Sequence, residues 1–358
     1  MSNSPIRIGV IGAGGIAAKL HLPELCGVTG VEVAALAGRS QSRLETLCRK
    51  FSVPHWTHSY EEVIADPDVD GVVIALPHPL HVKYGLMALD AGKHIHMQKP
   101  LSTSLEEADE FVRRVEDSNS IVLSLPYVAR PHVLAARELV QCGALGTVAS
   151  AHARFSHGGP EVYYATVQAI LEETISSDDL WFFDANRADV GALFDMGVYA
   201  IAHLVTVLGS VEKVTCRMAT VAKPTELEDT ASLILEFANG AIGTAETGWC
   251  DGARTYGFSI HGTDGKLTNP PLTGNLIHSR PSSLVDEDAP LLETPVDTSQ
   301  HPDVNSHQHW IDCIKAGLQP SLTNASTARH VTEIMLRAKE SAAESRTVDV
   351  HSRIESLS

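Results

Sequence analysis

Several residues in this chain have types and spacings that carry chemistry. The first group is Gly12-Ala13-Gly14-Gly15-Ile16-Ala17, set between the apolar run Ile6 to Ile11 and a helical pattern through Lys19 and Leu20. In that setting Gly12 permits a tight turn, Gly14 removes a side chain from the path of a pyrophosphate, and Ala17 lets the helix lie close to the strand. A helix N-terminus then presents N–H groups and a partial positive charge to an anion. Gly12, Gly14, Gly15 and Ile16 are therefore expected to hold a dinucleotide. The next strand ends in Ala37-Gly38-Arg39-Ser40, with no carboxylate for a ribose 2′-hydroxyl. Arg39 and Ser40 offer a cation and a hydroxyl instead, and a small Gly38 leaves room beside them. That set suits a 2′-phosphate and favours NADP over NAD. Farther along, Asp195 and Tyr199 lie four apart in the apolar run Ala192 to Leu208, so one helix face carries both. A carboxylate and a phenol on a buried face need partners. His203, one turn on, reads as a core histidine.

The elements that must position these groups alternate in the first third of the chain. Strands are expected at Ile6 to Ile11, Val31 to Ala37, Gly71 to Leu76, His94 to Met97 and Ile121 to Leu125. Helical patterns at 41–51, 60–65, 82–91 and 104–117 separate them, the last with Ser104 and Glu107 spaced as a capping box. Such βαβ units imply a doubly wound parallel sheet, a Rossmann domain over residues 1–125. The rhythm changes at Leu125-Pro126. After a helix at 131–141, strand-like runs follow at 148–155, 211–220, 230–237, 241–247 and 255–261, with Asn239-Gly240 as a hairpin turn. Residues 126–358 are expected to form an α+β domain with a large, predominantly antiparallel open sheet. The polar stretch Pro270 to His301 reads as a surface loop, and two helices, about 306–316 and 325–345, close the chain.

Ala91-Gly92-Lys93-His94, followed by Gln98-Lys99-Pro100, resembles the A-G-K-H-x-x-x-E-K-P signature of the Gfo/Idh/MocA oxidoreductases. Gly191-Ala192-Leu193-Phe194-Asp195-Met196-Gly197-Val198-Tyr199 is similar to that family's G-G-x-L-x-D-x-G-x-H helix. The resemblance runs from about Ile6 to Val350. It implies that Lys99 sits beside the nicotinamide and contacts the substrate hydroxyl. It also implies that the loop Leu76-Pro77-His78-Pro79-Leu80-His81 covers the nicotinamide ribose, which makes Pro77, His78, His81, Gln98 and Lys99 cofactor-binding. This chain departs from the pattern in four places. Gln98 replaces a glutamate, Tyr199 a histidine, Ala202 an aspartate, and Phe182 an arginine after Trp181. Tyrosine at position 199 also occurs in the branch of glucose–fructose oxidoreductase and the dihydrodiol dehydrogenases. The implied reaction is hydride transfer between NADP, or NAD, and a secondary alcohol of a sugar, cyclitol or related polyol. Lys99, Asp195 and Tyr199 are the catalytic set, with the proton carried by Lys99 or Tyr199. A non-catalytic sensor and a cofactor-recycling glycosidase or dehydratase stand as alternatives on the same scaffold.

Bulk properties narrow the partners. The 358 residues carry a formal net charge of −17, which repels nucleic acid and anionic membranes. No apolar run approaches the ~20 residues of a membrane span. Six scattered cysteines without a C-x-x-C pair read as reduced thiols, and Met1 to Ile6 carries no leader pattern, so the cytoplasm is expected. Eighteen histidines include the close pairs His78/His81, His94/His96 and His307/His309. None comes with a carboxylate at catalytic-zinc spacing, so no metal is expected. An antiparallel sheet with helices on one face needs cover on the other. In the resembled family such faces pair between subunits, so a homo-dimer or homo-tetramer is expected.

Overall fold

Alternating buried strands and amphipathic helices build the first unit of a computed structural model that describes residues 4–174, 176–177 and 179–354. The first three residues, where the absence of a leader was read, lie outside the described residues. Six parallel strands are ordered β3-β2-β1-β4-β5-β6: β1 (Ile6–Ile11), β2 (Val31–Ala37), β3 (Trp56–Thr57), β4 (Gly71–Ile74), β5 (His94–Met97) and β6 (Val122–Ser124). Strand β3 has only two residues, too few for a period to show in sequence. The chain order reverses between β1 and β4, the place where sheets of this kind bind ligands beyond the carboxyl ends of their strands. Helices cover both faces, and β4 is buried along its whole length. Ser104 does cap the helix Leu105–Glu116. The capping box is indirect, however: Glu107 accepts from Ser102 Oγ, and Ser102 Oγ accepts the Ser104 N–H.

Two later segments belong to this same unit, residues 160–189 and 304–329. A single cut at residue 125 therefore describes the chain incompletely. The physical reason is a set of side-chain ties. Arg43 Nη1 reaches Asp179 Oδ1 at 2.6 Å, and its Nε reaches Glu173 at 2.7 Å. Lys19 donates to Thr166 Oγ1, and Arg329 to Asp109. The helix Pro160–Leu171, which supplies part of this return, was not foreseen from the sequence.

The second unit comprises residues 126–159, 190–303 and 330–358, of which 355–358 lie outside the described residues. Its nine strands are β7 (Val148–Ser156), β8 (Val211–Ala219), β9 (Thr230–Phe237), β10 (Ile242–Gly248), β11 (Thr255–Gly262), β12 (Lys266–Asn269), β13 (Ile277–Pro281), β14 (Leu291–Pro295) and β15 (Val348–Asp349). They are ordered β14-β13-β12-β11-β7-β10-β9-β8-β15, antiparallel throughout except for β7 beside β10. The stretch expected as a loop, 270–301, thus contains two edge strands. Backbone pairing holds these where hydrophobic alternation does not, since all five residues of β14 are exposed. The Asn239-Gly240 turn forms as expected, with Gly240 at φ +87°. Along β9, Ala231, Leu233, Leu235 and Phe237 are buried while Ser232, Ile234 and Glu236 face outward. The apolar helix Val198–Leu208 packs on the buried face.

Candidate active site

The glycine turn follows β1 directly. Gly12 has φ +109°, and a Cβ there would lie 2.1 Å from the Ala75 carbonyl oxygen, so both backbone and space exclude any side chain. A Cβ on Gly14 would meet nothing within 4 Å. That opening is where the motif requires the diphosphate to approach. Gly15 is close against the Tyr164 ring, 2.9 Å from a built Cβ. Ile16 leads into a π-helical turn, Ala17–His21, rather than an ordinary helix. At the end of β2, Arg39 is exposed and makes no ion pair among the described residues. Ser40 is the N-cap of Gln41–Phe51, its Oγ accepting the Arg43 N–H at 3.4 Å. Gly38 does not leave a gap: a Cβ there would fall 2.7 Å from Ala13 Cβ, so its smallness serves the packing of the glycine turn.

Beyond β4, His78 opens a short 3₁₀ turn, and its ring lies edge-on to Trp181 (5.0 Å) and Phe182 (5.6 Å). His81 is fully buried. Its Nδ1 lies 2.6 Å from the Pro100 carbonyl and its Nε2 2.8 Å from that of Leu76. Both ring nitrogens are engaged by backbone, so His81 clamps the loop after β4 to the turn after β5. The role of cofactor ligand given to it by resemblance does not suit a ring with no polar atom left over. Lys93 is likewise structural, its Nζ donating to the carbonyls of Asp66 and Val69. Gln98 and Lys99 follow β5, with Gln98 buried and Lys99 half-buried.

Gln98 does not stand alone. Its Oε1 accepts the Lys99 N–H at 2.9 Å, and its Nε2 faces His21 Nε2 at 3.1 Å. His21 Nδ1 lies 3.0 Å from His307 Nε2, and His307 Nδ1 lies 2.8 Å from Glu24 Oε2. His96 stacks on His307 with centroids 4.2 Å apart and planes within 2°. Burial pushes the pKa of His21 and His96 well below the ordinary histidine value and lowers that of His307, which Glu24 partly offsets. One ligand atom from each of His21, His96 and His307 lies within 4.8 Å of the others. The sequence pairs had suggested other combinations. A bound ion must lie near the plane of each imidazole that ligates it, and the parallel rings of His96 and His307 have no such common point.

In the second unit, Asp195 sits in a π-helical turn, Leu193–Gly197, ahead of the helix Val198–Leu208. The four-residue spacing to Tyr199 therefore spans a wider turn than the uniform α-helix expected. Asp195 is buried, and its Oδ2 accepts the Trp249 indole N–H at 2.9 Å, with His157 Nε2 3.7 Å away. Nothing in the sequence links Trp249 or His157 to Asp195. Glu228 receives the N–H groups of Gly191 and Leu193, which caps the π turn, and burial raises its pKa. Tyr199 is half-buried, with its ring 6.1 Å from that of Phe155. His203 is a core residue, as expected. It hydrogen-bonds the Tyr199 carbonyl, stacks on Phe155, and burial lowers its pKa to about 4.

Residues 6–125 match the family of oxidoreductases with an NAD-binding Rossmann fold, and residues 133–268 match the Gfo/Idh/MocA C-terminal domain. The chain belongs to the Gfo/Idh/MocA family. It is 29% identical over 268 residues to a D-xylose 1-dehydrogenase (NADP(+)) of Haloferax volcanii, covering 74% of this chain and 76% of that one. It is also 29% identical to a trans-1,2-dihydrobenzene-1,2-diol dehydrogenase of Mus musculus, over 67% of each chain. Across the curated relatives matched, the shared stretch spans 54 to 76% of the relative's own length. A solved levoglucosan dehydrogenase in complex with NADH has the same fold, with a TM-score of 0.82, 23% identity, and coverage of 98% of this chain and 100% of that one. No helix among the described residues is long and apolar enough to cross a membrane.

Proposed function

We propose that this protein transfers hydride reversibly between a nicotinamide cofactor and a secondary alcohol carbon of a sugar, cyclitol or related polyol. One observation carries the reading. The glycine turn after β1, the His78 turn after β4 and Lys99 after β5 all lie at the carboxyl ends of adjacent parallel strands, beside the reversal in strand order. The relatives' substrates, a sugar and a dihydrodiol, support the substrate class. The constricted Gly12 and the open space at Gly14 fit a dinucleotide diphosphate. Arg39, exposed at the end of β2, supports NADP over NAD.

When bound, the cofactor supplies the hydride acceptor or donor. Lys99, as an ammonium, stabilises the alkoxide that develops as the hydride leaves the carbinol carbon. The hydroxyl proton passes to Tyr199 or to Lys99, and Asp195 holds a neighbouring hydroxyl. The exposed residues Ile234 and Ile242 on the outer face of the nine-stranded sheet support pairing of two subunits there. Six free cysteines support a cytoplasmic location.

The decisive experiment is a screen of sugars and polyols with purified protein, followed by NADPH and NADH absorbance. Turnover with a polyol supports the reading. Cofactor binding without turnover on any polyol sinks it in favour of a sensor. Product formation with no net absorbance change sinks it in favour of a cofactor-recycling lyase.

A further inference from the structure

Inside the first unit a row of polar groups runs from the backbone of Lys99 to the molecular surface, and its hydrogen atoms can be placed without choice. The Lys99 N–H can only donate, so the amide atom facing it at 2.9 Å is Gln98 Oε1. The other end of that amide, Nε2, then donates to His21 Nε2 at 3.1 Å. An imidazole nitrogen that accepts carries no proton. The proton of neutral His21 is therefore on Nδ1, which donates to His307 Nε2 at 3.0 Å. By the same step His307 carries its proton on Nδ1 and donates to Glu24 Oε2 at 2.8 Å. Worked backward from Glu24, a carboxylate that can only accept, the same assignment results. His21, Gln98 and His307 are buried, and the Glu24 side chain is 20% exposed.

We propose that Lys99 N–H, Gln98, His21, His307 and Glu24 form a one-way hydrogen-bond chain that positions Lys99 and requires a neutral amide at position 98. Gln98, His21 and His307 are positioning residues in this account, and the kinetic part rests on the function proposed above. A carboxylate at 98 would present acceptors to both Lys99 N–H and His21. His21 Nε2 would then need a proton, and the direction would reverse until it met Glu24 with no donor between. One extra proton must enter the chain to repair it. The burial that keeps these imidazoles neutral opposes that entry. The amide at 98 and the histidines at 21 and 307 are thus one matched set. The π-helical turn Ala17–His21 ends on the first of them.

The test uses the full chain, 15N-labelled and free of cofactor, with long-range proton–nitrogen spectra of the histidine rings at pH 7. His21→Asn and His307→Asn assign the signals. Both rings are expected as the Nδ1–H tautomer, which is the minor form in water. An Nε2–H on either ring overturns the chain, and so does a stoichiometric bound zinc ion, which would make these imidazoles ligands. Gln98→Glu is expected to convert one of the two rings to imidazolium, and unchanged tautomers in that variant would overturn the requirement for an amide. In His21→Asn the Lys99 amide should exchange with solvent roughly tenfold faster, on the scale of one lost hydrogen bond. An unchanged rate removes the link to Lys99. With any polyol the wild type accepts, Gln98→Glu should lower kcat about tenfold and leave the KM for NADPH near wild type. Unaltered kcat with altered tautomers refutes the positioning role. If no polyol turns over, the proposed function fails, while the tautomer and exchange measurements still decide the chain.

Discussion

The two units bury their polar groups in different ways. In the first, uncharged amide and imidazole groups from Gln98 to His307 are satisfied by direction alone, each donor meeting one acceptor until a carboxylate near the surface ends the row. In the second, a carboxylate itself is buried: Asp195 takes the Trp249 indole proton, with the His157 ring nearby. A neutral chain keeps its neighbour still at little electrostatic cost. A buried carboxylate keeps a charge at hand and relies on donors built around it. The contrast suggests that the first unit orients Lys99 while the second supplies groups that meet the substrate.

The largest expected effect tests which unit carries the proton. Lys99→Ala should lower kcat by roughly 10²–10⁴-fold. Tyr199→Phe should fall in the same range with NADPH binding intact, and the double variant should be little worse than the poorer single one. Near-wild-type turnover in Tyr199→Phe would give the proton to Lys99 alone.

Acid should then expose the neutral histidines. His203 has its pKa lowered to about 4 in the fold, against 6.5 in the unfolded chain. Between those values the unfolded state binds a proton that the native state refuses, so stability falls as pH drops from 6.5 to about 4. The loss amounts to roughly 3 kcal/mol and levels off below. Urea melts across that range should show it, and His203→Phe should flatten the slope. A slope unchanged by that substitution would shift the cause to His21, His81 and His96, which are also held neutral.

Smaller effects separate structure from cofactor reading at the end of β2. Arg39→Ala should weaken NADPH binding by about 1.5–3 kcal/mol and leave NADH binding nearly unaltered. Equal losses would show that Arg39 does not read the phosphate. Ser40→Ala should cost only about 0.5–1 kcal/mol of stability, the lower range for a helix N-cap, given its long 3.4 Å bond. If calorimetric titration also shows weaker NADPH binding in that variant, the hydroxyl serves both purposes.

The strands β1, β2, β4, β5 and β6 were legible because each is a short apolar run ended by glycine, proline or a polar cap. The nine-stranded sheet was legible in its centre, where β9 alternates residue by residue, and not at its margin, where β14 is exposed throughout. The glycine turn, Arg39, Lys99, Asp195 and Tyr199 stood out because local spacing marks them. Residues joined only through space carried no such mark. Asp195 and Trp249 are 54 positions apart, and His21 and His307 are 286 apart.

By itself, then, the sequence determined the element types, the dinucleotide turn and the identity of the chemically capable side chains, because these follow from periodicity and backbone sterics within a few residues. Only the tertiary structure decided what those side chains are for. It turned His81 into a clamp, gave Gly38 to packing, returned 160–189 and 304–329 to the first unit, and set an amide between Lys99 and a line of imidazoles. The reason is that burial and hydrogen-bond direction depend on which distant groups arrive at the same place, and no local pattern encodes that arrival.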